Sequence, residues 1–305
     1  MTDAMRELSV VIPFRSEPVI SETVRAILSV AQSEGIRDFE VIVVGSGDPG
    51  DLPKDAAVRF VETEPNLWAS SRRNRGLATA TGNIVVFLDA DCIPQFGWFG
   101  GVRASQKPVA SICCGSIVVP SDNYWQQCYN LAGFREYLDG LPGSERRFLP
   151  SFCLWGPRAA FVEVGGFDEA RQTAEDLDLT IRLARAGWSL RFKPTVRIVH
   201  RPVANSLTQL IGRGWLHGGW SIAVRREHPD VFRTGVWGTS PIILVLGSLL
   251  AAGYFLAKTY LDYSRLRTIC LACALPIYFY RVAWCLGAAY RRVLPRSTPG
   301  TASRR

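Results

Sequence analysis

Two acidic stretches carry the residue types most suited to chemistry. In "NIVVFLDADCIP", residues 83–94, Asp89 and Asp91 follow the apolar run Val85–Leu88, which reads as a buried strand. Open α/β sheets bind ligands at such carboxyl ends of strands. Two carboxylates two residues apart there can serve one site, and a hard divalent cation, Mg2+ or Mn2+, takes such oxygens together with substrate phosphates. The plain alternative is a strand-end turn with solvated acids. In "TAEDLDLTIRLARAG", residues 173–187, Glu175, Asp176 and Asp178 open a helical pattern. Acids suit a helix N-terminus for reasons of dipole and capping alone. A carboxylate at the mouth of a site can equally act as a general base.

A third stretch, "EVIVVGSGDPGD" at 40–51, reads G-x-G-x-x-G from Gly45 to Gly50 directly after an apolar strand pattern. A dinucleotide loop must run straight into a helix whose N-terminus holds the pyrophosphate. Here Asp51–Ala57, interrupted by Pro53, is all that separates Gly50 from the next strand. That is too short for a crossover helix. The glycines read instead as a tight turn using positive φ.

The elements that must position these acids alternate. Leu8–Phe14, Phe39–Val44, Val58–Val61 and residues 83–94 read as strands, with helical patterns at Glu17–Ser33 and Ser70–Thr81 between them. Strands alternating with helices predict an α/β fold with a mostly parallel central sheet. Further on, "ASICCGSIVVP" reads as a strand and "NYWQQCYNLAGFREYL" as a helix. Glu175–Ala186 reads as a helix, "SLRF" and "VRIVH" as two short strands, and Leu207–Glu227 as a long helix containing Trp215 and Trp220.

The formal charge of +8 is unevenly spread: beyond residue 235, nine Lys/Arg face a single acid, Asp262, and the rest of the chain is balanced. The cations flank apolar runs, which points to a membrane surface and away from nucleic acid. "VWGTSPIILVLGSLLAAGYFLA" carries no charge over 236–257, a length that can span a bilayer. "TICLACALPIYFYRVAWCLGAAY" follows, interrupted by Pro276 and Arg281. A spanning hairpin over 236–292 with a basic tail at 293–305 is the expectation, and two helices lying in the interface are the rival reading. The tail would then share the cytoplasmic side with the N-terminal domain. No leader is evident at the start of the chain, whose first apolar run lacks a preceding basic region. The eight cysteines have irregular spacing and read as reduced, Cys270-x-x-Cys273 among them as small apolar filling.

Across residues 7–230 the order of segments resembles the family 2 inverting glycosyltransferases, which have a GT-A fold. The resemblance rests on "LSVVIPFRSE", on "SSRRNRGLATATGNIVVFLDAD", on "CLWGPRAAFVEVGGFDE", on "AEDLDLTIRLARAGW" and on "GRGWLHGGWSIAVRREHPD", in that order. It implies a GT-A domain over 1–235 and a nucleotide-sugar donor, with Pro13, Glu17, Asp48, Arg73, Asn74 and Asp89 at the nucleotide. It implies Asp91 as metal ligand, His200 as a further ligand, Asp176 as general base, and Gly166, Phe167 and Asp168 on the acceptor wall. The acceptor would be lipid-linked or a glycan at the cytosolic membrane face. Two departures stand out. The family's turn aspartates after the second strand are replaced by Gly45 and Ser46, with Asp48 displaced, which either leaves base recognition to Asp48 or Glu17 or points to a donor other than the common UDP-sugars. The Q-x-x-R-W of polymerising members is absent, Gln209, Arg213 and Trp215 having another spacing, which favours transfer of a single sugar. The missing turn acids also motivate an alternative, a non-catalytic scaffold of the same fold.

Overall fold

The computed structural model describes residues 6–107, 109–120, 122–232 and 240–293. Its centre is a nine-stranded mixed sheet among the described residues. Strands β1 (Leu8–Phe14), β2 (Phe39–Gly45), β3 (Val58–Glu62) and β4 (Ile84–Leu88) run parallel in the order β3-β2-β1-β4. Helices α1 (Ile20–Ser33) and α2 (Ala69–Thr79) make the crossovers. Every residue of β1 and β2 is buried, as strands covered on both faces must be.

Beyond β4 the direction changes. Strand β8 (Cys153–Pro157) pairs antiparallel with both β4 and β6 (Ile112–Val118), and β9 (Leu190–His200) pairs parallel with β6. The sheet is therefore mixed: β3-β2-β1-β4 and the β6–β9 pair are parallel, and β8 runs against its neighbours. Two boundaries also differ from expectation. The acidic strand ends at Leu88; Asp89-Ala90-Asp91 forms a turn closed by Cys92 N donating to Asp89 O at 3.0 Å, and β5 (Cys92–Pro94) is separate. The two short strands near 190–200 are one. The β6–β9 register shifts between Cys114 and Ser116, so Pro194 falls in a bulge where no ladder N–H is needed.

The remaining helices are α3 (Trp98–Ala104), α4 (Tyr124–Gly133), α5 (Arg158–Glu163), α6 (Glu175–Arg185), α7 (Leu207–Glu227), α8 (Pro229–Phe232), α9 (Pro241–Leu246), α10 (Ser248–Asp262), α11 (Arg267–Ala272) and α12 (Ala274–Val293). A small strand, β7 (Ser144–Glu145), pairs with β9. Helix α12 lies directly along α7. A Cβ on Gly218 would sit 1.9 Å from Trp284 O, and one on Gly287 would sit 2.1 Å from Trp215 O. Only glycine lets the two backbones approach this closely. All eight cysteines are free and buried.

No single described helix is long and apolar enough to cross a membrane. The second apolar run breaks at Cys273, and its two parts meet at 81°. Pro276 sits in the first turn of α12, where its missing N–H costs nothing, so the break precedes it. The spanning hairpin expected over 236–292 is therefore not shown; residues 236–239 and 294–305, the latter holding most of the expected tail, lie outside the described residues. What the helices do present is an exposed apolar face, with Leu246 76%, Leu250 80% and Leu275 70% accessible.

Candidate active site

A cleft of about 330 Å3 opens at the carboxyl ends of β1 and β4. Pro13, Glu17, Arg73, Asp89, Asp91 and His200 all line it. The register of the sheet explains how distant residues meet there. β5 pairs antiparallel with β9 so that Cys92 stands opposite His200, and Arg201 N donates to Asp91 O at 2.8 Å. Asp91 Oδ1 then lies 3.5 Å from His200 Nε2. From α1, Thr23 Oγ1 donates to Ala90 O at 2.7 Å and pins the turn between the two aspartates.

The tautomer of His200 follows from its other side. Asn130 Nδ2 donates to His200 O at 3.0 Å, so its Oδ1, 2.7 Å from His200 Nδ1, must accept from that nitrogen. In the neutral ring this leaves the Nε2 lone pair facing a carboxylate oxygen. Two acceptors aimed at one another suit a shared cation, and the carbonyl-fixed histidine is a familiar way to orient a metal ligand. Burial works to raise the Asp91 carboxyl. Were Nε2 protonated as well, the charge of His200 together with that of Arg213 would outweigh burial and hold that carboxyl below the ordinary range; a bound cation would take that proton's place. Cys92 lies close enough to complete a three-residue group. Burial and the neighbouring aspartates push its thiol well up, so it keeps its proton and makes a poor ligand for a hard ion. Asp91 and His200 thus fit a divalent cation that keeps room for phosphate oxygens.

Arg73 joins the two acidic stretches. Its buried guanidinium donates to Asp89 Oδ1 at 2.6 Å and to Glu175 Oε1 at 2.7 Å, with Phe167 beneath it at 5.3 Å. Burial opposes its charge, but Asp89 and Glu175 raise its pKa above the ordinary arginine value. Glu175 is pushed up to about 7, because burial and the adjacent Asp176 outweigh the arginine it shares with Asp89. Asp176 is raised too, first by burial. Its Oδ2 accepts from Ser151 N at 3.1 Å and its Oδ1 from Leu177 N at 2.8 Å, which orients the carboxyl beside Arg73 but off the cleft lining. The preceding Ala174 takes a left-handed φ of 62°, a strained conformation for alanine.

Other expected residues sit differently. Asn74 exchanges hydrogen bonds with the backbone of Phe167, its Nδ2 donating to O and its Oδ1 accepting from N, both at 2.8 Å. It therefore braces the acceptor-wall segment and stays out of the cleft. Asp48 is exposed and closes its own turn, Oδ1 accepting from Gly50 N at 2.8 Å, so it is not brought to the nucleotide side of the cleft. Glu17 is: its Oε2 accepts from Arg15 N at 2.7 Å at the cleft edge. The absent aspartate at position 45 has a steric cause, since a Cβ there would lie 2.0 Å from Phe14 O. Asp178 belongs to another network. It is held by Arg182 at 2.8 Å and His228 at 3.1 Å, and it ties α6 to the end of α7.

Sequence reading missed Tyr129, Phe134 and Asn130, all from α4 or just after it, as cleft wall and histidine support. Arg213 and Trp215 lie two residues apart on α7 but face different ways. Arg213 lines the cleft, its guanidinium 5.0 Å over the Tyr129 ring. Trp215 turns the other way, into an apolar groove of about 510 Å3 shared with Ile242, Leu246, Leu286 and Tyr290.

Comparison with known proteins bears on this arrangement. The pattern of the family described as "Glycosyl transferase family 2" matches residues 9–165. A pre-mycofactocin glycosyltransferase of Mycobacterium tuberculosis is 26% identical over 308 residues, covering 97% of this chain; the chain spans 62% of that relative's length. An N-acetylglucosaminyl-diphospho-decaprenol L-rhamnosyltransferase of the same organism is 28% identical over 177 residues, 56% of this chain and 54% of the relative. Among solved structures, a mannosyltransferase from Pyrobaculum calidifontis in complex with GDP-Man and Mn2+ superposes with a TM-score of 0.62 at 19% identity, over 97% of this chain and 89% of that one. At that identity the likeness speaks for the GT-A-like fold.

Proposed function

The chain belongs to glycosyl transferase family 2, and on that premise we propose that it moves one sugar, with inversion, from a nucleotide-sugar donor to a hydroxyl of a lipid-linked acceptor at the cytosolic face of a membrane. The observation that carries the reading is the cleft itself, where Asp91 and the Nε2 lone pair of His200 face each other 3.5 Å apart beside the Arg73–Asp89 pair. A Mg2+ or Mn2+ ion held there would supply charge stabilisation to the departing diphosphate. The protein's residues do the rest. Asp89, fixed by Arg73, and Glu17 receive the nucleoside. Asp176, on turning from its bonds to Ser151 N and Leu177 N toward the cleft, takes the proton of the acceptor hydroxyl as that oxygen forms its bond to the anomeric carbon, and the bonding pair to the old oxygen leaves with the diphosphate. A base with a raised pKa suits this task.

The lipid acceptor is supported by the shape of α7. One face of this helix gives Arg213 and Leu216 to the cleft, and the adjacent Trp215 lines the apolar groove against α9 and α12. The exposed leucines of α9 and α10 extend that groove to the surface. The helices would lie in the interface, as bent helices with one apolar side can. A relative whose name specifies a diphospho-decaprenol acceptor is consistent with this.

The test is a donor panel. Detergent-purified protein is incubated with UDP-, GDP- and dTDP-sugars and Mn2+ or Mg2+, and nucleotide release is measured. Release with one donor class, abolished by chelator and restored by metal, is expected. No binding or release with any donor would favour the non-catalytic scaffold. Sedimentation with anionic vesicles tests the membrane part separately, and Leu246→Ser with Leu250→Ser is expected to weaken it.

A further inference from the structure

Arg225 on α7 and Arg281 on α12 form a cationic pair that the donor cleft does not use. Arg225 Nε donates to Ser221 Oγ at 3.3 Å, and its guanidinium lies 4.4 Å over the Phe232 ring. The Arg281 guanidinium lies 3.9 Å over Phe255. Both reach the same Trp284 ring, at 5.9 and 5.3 Å. Burial and the charge of Arg281 together pull the Arg225 guanidinium below its ordinary range. Among the described residues neither has a carboxylate partner. Glu136, whose charge partly offsets the pair, is 53% exposed and lies 3.7 Å from Arg135.

Two half-buried like charges against shared aromatic faces are costly unless an anion joins them. Guanidinium forks match phosphoryl oxygens in geometry as well as charge. The surroundings say which phosphoryl group. Tyr280, beside Arg281, packs at 6.5 Å on Tyr129 of the cleft wall. Phe255 also carries Arg135 at 5.4 Å, and the preceding Phe134 packs at 5.2 Å on the His200 ring. On the other side, Tyr254 and Leu250 of α10 are exposed. Arg281 thus stands behind the cleft wall at its border with the apolar helices, and Arg225 lies beyond it in the last turn of α7.

We propose that Arg225 and Arg281 bind the phosphoryl group of the lipid-linked acceptor, with its chain on the apolar helices and its sugar directed to the cleft. This rests on the lipid-acceptor reading above, and the test separates the two. Binding of farnesyl phosphate and of farnesol to the full chain in detergent is measured by calorimetry for the wild type, Arg225→Gln/Arg281→Gln and Arg281→Lys. Nucleotide-sugar binding with Mn2+ is measured in parallel. Farnesyl phosphate is expected to bind the double variant at least about tenfold more weakly than the wild type, since charge-assisted hydrogen bonds are lost. Farnesol and the donor should bind both alike, and Arg281→Lys should fall between. Equal binding of farnesyl phosphate to wild type and double variant overturns the proposal. So does inorganic phosphate binding the wild type as tightly as farnesyl phosphate, which would make this a free-anion site. If the double variant loses donor binding, Arg225→Lys and Arg281→Lys decide the matter: a severalfold loss for farnesyl phosphate alone supports the site, and none overturns it. A wild type that binds farnesyl phosphate but no donor would refute the transferase reading and leave the pair standing.

Discussion

The α/β body and the C-terminal helices treat polarity in opposite ways. In the body, Val86, Phe87 and Leu88 are fully buried and lead to two carboxylates in a cleft. In the helices, Leu246, Leu250 and Leu275 face outward, while Arg281 is tucked between Phe255 and Trp284. A body built on the first plan buries its apolar side chains within itself. A layer built on the second has an outer surface that water does not favour, and exposed apolar patches of this kind mark a partner or a lipid surface. The glycine contacts between α7 and α12 hold the two plans together.

The contrast predicts opposite responses to the same kind of change. Phe87→Ala removes a ring packed at 5.0 Å on Phe161 and 4.9 Å on Phe167. It should cost about 3–5 kcal/mol in a denaturant melt. Leu250→Ser deletes a side chain of comparable apolarity that is 80% exposed and should stay within about 0.5 kcal/mol. Equal losses would mean that the helical face is covered inside the protein after all.

Next in size is the loss of chemistry without loss of fold. Asp91→Asn keeps the turn at 89–92 but removes the charge facing His200. Nucleotide release at saturating metal should fall about 100- to 1,000-fold, the usual scale for removing one stabilising group of a transition state. The melting temperature should hardly move. Full turnover in this variant would remove Asp91 from the mechanism, whereas Leu250→Ser should leave release from soluble donor unchanged.

How far the sequence revealed these regions depends on the range of the interactions. The first strands and helices were legible because burial on both faces and helical periodicity are local signals. That Asp89 and Asp91 follow a strand and Asp176 opens a helix was legible because strand ends and helix starts are visible in the pattern. The connections between them were not. Arg73 meets Glu175 across 102 residues, and His200 meets Asn130 across 70. Neither pairing leaves a trace in spacing. Asp48 misled because a short carboxylate next to glycines can bond its own turn. For the apolar C-terminal runs, a hydropathy window registers neither the bend at Cys273 nor the docking of α12 on α7.

The buried acid pair gives a pH signature that belongs to the body alone. Glu175 has an ordinary value of 4.5 and is pushed up to about 7 in the folded chain. Between those values the native state holds more protons than the unfolded chain, so stability declines as pH rises through that window. Glu175→Gln keeps a neutral hydrogen-bonding group and should flatten that decline, which urea melts at several pH values would register. The Arg73–Asp89 contact remains in the variant, so donor binding should persist. A wild-type curve that climbs across the same window would show Glu175 to be charged throughout, as a simple partner of Arg73.

The smallest effect lies in the backbone that aims the base. Ala174 precedes α6 with φ 62° and ψ 18°, a left-handed conformation that costs an L-residue roughly 1 kcal/mol or more. Glycine has no such cost, so Ala174→Gly should stabilise the chain by up to about 1 kcal/mol. Ala184, exposed within the same helix, supplies the control, because glycine there should destabilise by about 0.5–1 kcal/mol. One substitution, ten residues apart, is thus expected to change sign. If the strain at Ala174 serves to fix Asp176 against Ser151 N, the stabilised variant should also turn over more slowly, since glycine frees the residue just before the Glu175–Asp176 pair. Two losses of similar size in the melts would mean that position 174 is not strained. A gain in stability with unchanged turnover would mean that the strain is incidental to the orientation of Asp176.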